Sequence, residues 1–297
     1  MTATARHPTP LALTFRRFRR HRLALFSAFV LAVLVLLALA APLFEALLGV
    51  EMNTVNLLAR FAEPSFAHPF GTDELGRDVL TRLFYGGRVS LFVGLTAAVF
   101  ASLIGTAIGL AAGYFGGRLD AILMRLTDGV ISLPLLPLLI VLAAVDLNKV
   151  GLPEAVTASE NASLYRIVAI VVMVGWTTVA RLVRSSTLSL RERDFVRAAV
   201  AQGAGPFRIM TRHILPNLAS PIIVATTLSV GNVILLESVL SFLGLGIQPP
   251  VPSWGNLLTG AQDLIWAHPG LAVWPGLMIF VTVIAFNFLG DGLQDAL

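Results

Sequence analysis

Residues 90–115 read SLFVGLTAAVFASLIGTAIGLAAGYF, twenty-six consecutive positions without a charged side chain. At about 1.5 Å of rise per residue, such a run wound as a helix exceeds the roughly 30 Å hydrocarbon thickness of a bilayer. It is also dense in small residues, among them Gly94, Ala98, Gly105 and Gly109. Small residues let helix backbones approach closely in lipid, so this span is expected to pack against a neighbour rather than to bind a ligand.

Outward from this run the pattern repeats. Further apolar stretches lie at 23–44, 121–146, 164–184, 218–243 and 271–290, with Pro134 and Pro137 expected to bend the third span. The 22 uncharged residues from Leu23 to Phe44 follow an arginine-rich start but are too long for a secretory signal, so they read as a retained first span. The segment 244–260, GLGIQPPVPSWGNLLTG, carries too much Gly and Pro to cross the membrane. The expected fold is an all-α polytopic membrane helical bundle with six transmembrane helices. Residues 1–88 form an amino-terminal segment, first helix and outer segment, and 89–297 a core of five helices with a cytoplasmic loop at 185–217.

Composition agrees. The chain is 56% hydrophobic and 13% charged, about half the charged share of soluble domains, with mean hydropathy +0.83. It has no cysteine, which excludes disulfides, thiolate metal sites and cysteine nucleophiles. The net charge of +4 does not point to nucleic acid, because the arginines flank apolar runs without interleaved aromatics. An amino terminus inside the cell places residues 1–22, 116–125 and 181–217 in the cytoplasm, with 15 of the 21 basic residues, as the positive-inside tendency requires.

The loop RERDFVRAAVAQGAGPFRIMTRHILPN, residues 191–217, lies between two spans. On a helix starting near Glu192, Phe195, Ala198, Ala199 and Gln202 share one face, and Arg191, Arg193 and Arg197 lie around it. Gly203 supplies a positive-φ turn, Pro206 suits the first turn of a following helix, and Pro216 is expected to break the chain before the fifth span. A stiff element of this kind transmits a rigid-body shift that a disordered loop would absorb.

The pattern Ala198, Ala199, Gly203, Leu215, Pro216 resembles the coupling loop of ABC importer permeases. Four ordered blocks extend the resemblance to the dipeptide/oligopeptide branch (DppC/OppC-like): His68–Leu91, Gly113–Pro134, Glu237–Leu258, and the carboxyl-terminal FNFLGDGLQDAL. The resemblance implies an inner-membrane importer with four partners: a second homologous permease, two ATP-binding subunits below, and an extracytoplasmic binding protein. ATP and Mg would be used by those subunits, with no cofactor bound by this chain. Phe195, Arg197, Ala198, Ala199, Gly203, Leu215 and Pro216 would meet the ATPase. Arg197 stands where the family commonly has glutamate and His213 where it has an apolar residue, so the ion pair made at position 197 stays open. Nickel chelates or another peptide-like solute are the alternative cargo within the same family.

The residues independently support dependence on partners for ATP hydrolysis. A phosphate-binding Walker loop needs a lysine after glycines, and the sole lysine, Lys149 in DLNKVG, lacks that spacing and is expected outside. Ionisable groups within spans are candidates for function by default. Glu237 could face the pathway or a gate, with a packing carboxylate as the competing reading. Arg125 and Asp128, three apart, are expected to neutralise each other. Asp73, Glu74, Arg77 and Asp78 either contact a binding protein or form a solvated helix face. No histidine lies in a span, so no metal site is expected. A secondary transporter would keep more midplane ionisable groups than Glu237 alone, and no catalytic constellation of an intramembrane enzyme occurs.

Overall fold

The computed structural model describes residues 16–145, 159 and 161–297, so Lys149 and the end of the expected third span lie outside the described residues. The long apolar runs all form helices. These are α1 (Arg22–Leu39), α2 (Ala41–Leu48), α3 (Val79–Phe115), α4 (Gly117–Ser132), α5 (Leu135–Ala144) and α6 (Ala162–Arg191), followed by α7 (Asp194–Ala201) and α8 (Pro206–Phe242). Two short helices, α9 (Trp254–Leu257) and α10 (Ala261–Leu264), precede α11 (Gly270–Ala296).

Five of these helices are long and apolar enough to cross a bilayer, and α4 with α5 forms a sixth span broken by 87°. The break falls at Leu133–Pro134, as the bend expected there. Pro137 adds no further kink, because it sits in the first turn of α5, where its missing N–H is no loss. The first span is shorter than its apolar run: α1 ends at Leu39, and Pro42 opens the separate helix α2. Conversely, α3 starts eleven residues before the uncharged run, because the Asp78 carboxylate accepts the Thr81 N–H at 2.7 Å and caps it.

Packing of α3 on α6 fixes the topology. A Cβ added at Gly105 would lie 2.5 Å from the Trp176 carbonyl oxygen, one at Gly109 would strike the Ala180 carbonyl, and one at Gly113 would lie 2.7 Å from Thr187 Cβ. Contact positions rise together along both helices, so α3 and α6 are parallel, and the chain between them must recross the layer. The bent pair α4–α5 is the described segment that does so. The start of α1 and the end of α11 then meet at one end of the bundle, where His21 Nε2 lies 3.5 Å from Asp295 Oδ2. We call this the terminal face and its opposite the far face.

Charges line up with the faces. Arg184 chelates Asp120 through two hydrogen bonds, one of 2.6 Å, and pins α4 to α6 near the terminal face. Asp128 pairs with Arg181 across the same two helices, and not with Arg125: the i, i+3 neighbour loses to a tertiary partner. On the far face, Asp73, Arg77 and Asp78 are not a solvated helix face. Asp78 is fully buried at the α3 cap and 3.1 Å from His68, while Asp73 binds Arg77 at 2.7 Å and lies 3.7 Å from Arg82. Only Glu74 in this group is exposed. Large apolar side chains such as Phe26, Leu103 and Phe280 stand exposed around the bundle, as a lipid-facing surface requires.

Candidate functional site

The segment 191–217 sits on the terminal face. Arg191, the last residue of α6, donates from Nη1 to the Tyr114 carbonyl at 3.0 Å, tying the segment's root to the end of α3. Helix α7 then runs for eight residues, with Asp194 in its first turn, where a carboxylate complements the helix dipole. Its inward residues are Val196 and Ala199, both buried, and Val196 joins a cluster with Leu110, Val183, Ile209 and Ile214. Phe195, Ala198 and Gln202 face outward. The expected four-residue face therefore loses Ala199, because the helix takes its register from that cluster.

The turn after α7 is a Schellman closure. Gly203 adopts φ +82°, its N–H bonds the Val200 carbonyl at 2.9 Å, and the Ala204 N–H bonds the Ala199 carbonyl at 3.0 Å. Ala204 then packs on the same cluster. Pro206 opens α8 at its first turn, as its fixed φ favours.

Pro216 does not break the chain. Helix α8 runs through it, by way of a π-helical stretch at Ile209–Ile214. The Leu215 N–H reaches five residues back to the Met210 carbonyl, and the Asn217 side-chain amide donates to the His213 carbonyl at 2.7 Å. The wider turn absorbs what a proline removes from an α-helix. Leu215 is half-buried and Pro216 exposed on this rising helix, beyond α7, so the seven residues of the sequence pattern do not form one surface.

The outer surface of α7 and the start of α8 is apolar at its centre: Phe195, Val200 and Phe207 are 43%, 54% and 76% exposed. Charges ring it. Arg197 binds Glu192 at 3.1 Å, so the position that departs from the family pattern is satisfied within the chain. Arg197 and then Arg191 hold the Glu192 carboxyl below the usual carboxylate range. Val200 and Phe207 escaped the sequence reading, although their place beside the Gly203 turn could have signalled them.

Glu237 lies far from this segment and is fully buried. Its two carboxyl oxygens accept from Ser90 at 3.2 Å and Ser241 at 2.7 Å. Ser90 Oγ also accepts the Trp254 N–H at 3.1 Å, and Ser241 Oγ accepts the Ile247 N–H at 3.0 Å. Trp254 is buried, its indole donating to the Leu83 carbonyl at 3.0 Å, and Ser253 and Asn256 cap its short helix reciprocally. Glu237 is thus a packing node that holds the Gly- and Pro-rich far-face loop onto α3 and α8. The serines and Trp254 that complete it are distant in sequence, and nothing local marks them as partners. Among the described residues no group of three His, Asp or Glu could hold a metal.

The sequence family described as "binding-protein-dependent transport system inner membrane component" matches residues 105–297, and one described as "N-terminal TM domain of oligopeptide transport permease C" matches residues 9–54. The chain is 38% identical to the dipeptide transport system permease protein DppC of Alkalihalophilus pseudofirmus, over 97% of its length and 90% of the relative's. It is 40% identical to DppC of Bacillus subtilis, over 95% and 83%, and 37% identical to OppC, the oligopeptide transport system permease protein of the same organism, over 95% and 87%.

Proposed function

The chain belongs to the inner membrane components of binding-protein-dependent transport systems, and from that premise we propose that it carries dipeptides or oligopeptides inward as half of an ATP-driven pathway. It is a transport subunit and not an enzyme. The relatives named for dipeptide and oligopeptide transport support the cargo. Residues 89–297 form the permease core, and 1–88 an accessory helix with the far-face segment. The terminal face is cytoplasmic, in keeping with the arginine distribution. There two ATP-binding subunits dock and consume ATP and Mg. A second homologous permease completes the pathway, and an extracytoplasmic binding protein delivers cargo to the far face.

The observation that carries the reading is the stiffness of the terminal-face segment. Helix α7 is rooted on α3 by Arg191, closed by the Gly203 turn and joined through only residues 202–205 to α8, which crosses the membrane. A push on Phe195, Ala198 or Phe207 therefore tilts a transmembrane helix. The seven residues of the pattern divide the work: Phe195, Arg197 and Ala198 contact the ATPase, Ala199 and Gly203 set the rigidity, and Leu215 and Pro216 carry the motion into the span.

The test is cross-linking. The chain has no cysteine, so Phe207→Cys places a single thiol at the centre of the surface. In the assembled complex it should cross-link to an ATP-binding subunit, with a yield that changes when ATP binds. A complex that transports peptide without such a cross-link at Phe207→Cys or Ala198→Cys would rule the docking surface out.

A further inference from the structure

Halfway along the bundle, α3, α6, α8 and the α4–α5 break enclose a cleft of about 470 Å³. Its depth follows from its lining: Ala98 and Ala101 lie near the middle of α3, Gly175 and Thr178 near the middle of α6, and Ser229 and Asn232 near the middle of the Leu215–Phe242 stretch of α8. Asn232 is exposed, and its carboxamide has no hydrogen-bond partner among the described residues. Thr178 is exposed beside it, likewise unpaired among the described residues, and Ser229 lies one turn away on the same helix. No charged side chain lines the cleft.

A free carboxamide turned toward hydrocarbon at this depth costs several kcal/mol, and membrane proteins tolerate such groups only where they meet water or polar protein. The cleft therefore opens onto something polar. A carboxamide offers one acceptor and two donors, the complement of a peptide's N–H and C=O, and it grips them whatever the side chains are. The uncharged lining adds no preference for cargo charge.

We propose that Asn232, assisted by Thr178 and Ser229, is the midplane station of the solute path and hydrogen-bonds the main-chain amides of the passing peptide. The proposal rests on the reading of the chain as a peptide importer. It makes Asn232 a specificity-determining residue for peptide backbone over other solutes of like size. The competing occupant of the cleft is a helix of the second permease.

The test uses the complex copurified with this chain, reconstituted in vesicles with its binding protein and supplied with labelled dialanine. Asn232→Cys and Thr178→Cys are compared with Leu103→Cys, an exposed lipid-side position, for reaction with a negatively charged methanethiosulfonate during ATP turnover. Both cleft thiols should react at least about tenfold faster than the control. Asn232→Leu should lower dialanine uptake about tenfold, the loss of one or two net hydrogen bonds, with ATP hydrolysis and complex assembly intact. Asn232→Gln should restore most of the uptake. Slow labelling at Asn232→Cys with normal uptake by Asn232→Leu would overturn the station and leave the importer reading standing. Loss of the second permease from the Asn232→Leu complex would overturn it in favour of a subunit contact. Wild-type vesicles that accumulate no dialanine would overturn both readings together.

Discussion

The Ser90 hydroxyl donates to the Glu237 carboxyl at 3.2 Å across 147 residues of sequence, and the same oxygen accepts the Trp254 N–H. One small side chain thereby joins α3, α8 and the far-face loop. Ser90→Ala removes both contacts and leaves a buried N–H and a carboxyl oxygen without this partner. The expected cost is about 1–3 kcal/mol, read as a lower melting temperature in detergent. Glu237→Ala should cost at least as much, since it strips both serines of an acceptor. A Glu237→Ala protein that melts like wild type yet fails to transport would show a gating role in place of the packing role.

Gly203 tests rigidity without packing. An added Cβ would meet nothing within 4 Å, so the only penalty is the positive φ. Gly203→Asn, which tolerates that region, should keep coupling. Gly203→Val should cost roughly 1–2 kcal/mol locally and uncouple uptake from ATP hydrolysis while the chain still inserts. The readout is the ratio of peptide transported to ATP hydrolysed, and normal coupling in Gly203→Val would show that the turn can be rebuilt.

Gly105 tests the opposite case. A methyl there meets the Trp176 carbonyl at 2.5 Å, a backbone atom that cannot swing aside. Gly105→Ala should destabilise the α3–α6 pair by about 1–3 kcal/mol, whereas Gly129→Ala, inside α4 with open space around it, should be neutral to stabilising by up to about 1 kcal/mol. Thermal melts of the two variants side by side decide whether close backbone contact holds this pair.

The difference between these glycines was only half legible in the sequence. Small residues in 90–115 announced a close contact, but not which helix would supply it. Five spans followed directly from apolar runs, three of them uncharged, and Pro134 marked the break in the sixth. What escaped depends on tertiary context. The Asp78 cap extends α3 past charges that a hydropathy run stops at, and a π turn lets α8 pass through Pro216. Asp128 takes Arg181 over the nearer Arg125. In the terminal-face segment the Gly203 turn and Pro206 start were readable from local chemistry. The inward turn of Ala199 was not, because Val196, packed with Ile209 and Ile214, sets the register of α7.

Glu192 gives the terminal-face segment a defined response to acid. Arg197 and Arg191 hold its carboxyl below the ordinary range, so the folded-state value is depressed. A depressed carboxylate contributes its stabilisation above the unfolded value and loses it as pH falls through the folded one. Amide exchange in 194–201 should therefore be unchanged at neutral pH and rise only on acidification below the usual carboxylate range. In Arg197→Ala the rise should begin at higher pH. An onset that does not move would mean that the pair leaves α7 unaffected.

The parity of crossings follows from contacts rather than from hydropathy. Gly292 packs against Ala24, and His21 lies 3.5 Å from Asp295, so the two ends of the described bundle share a face. An even number of crossings is then obligatory, and the parallel run of α3 and α6 puts the extra one in the bent pair α4–α5. With 15 of the 21 basic residues in the sequence segments 1–22, 116–125 and 181–217, the terminal side is expected in the cytoplasm. A fluorescent protein fused after Leu297 should therefore mature, and a phosphatase active only outside the cell should work when inserted at Gly260, on the far face. A phosphatase active at Leu297 would mean that the bent pair turns back without crossing, or that the whole bundle is inverted. Either event silences Gly260, and a phosphatase inserted at Gly49, the exposed end of α2 on the far face, separates the two, since inversion abolishes activity there and a re-entrant turn does not.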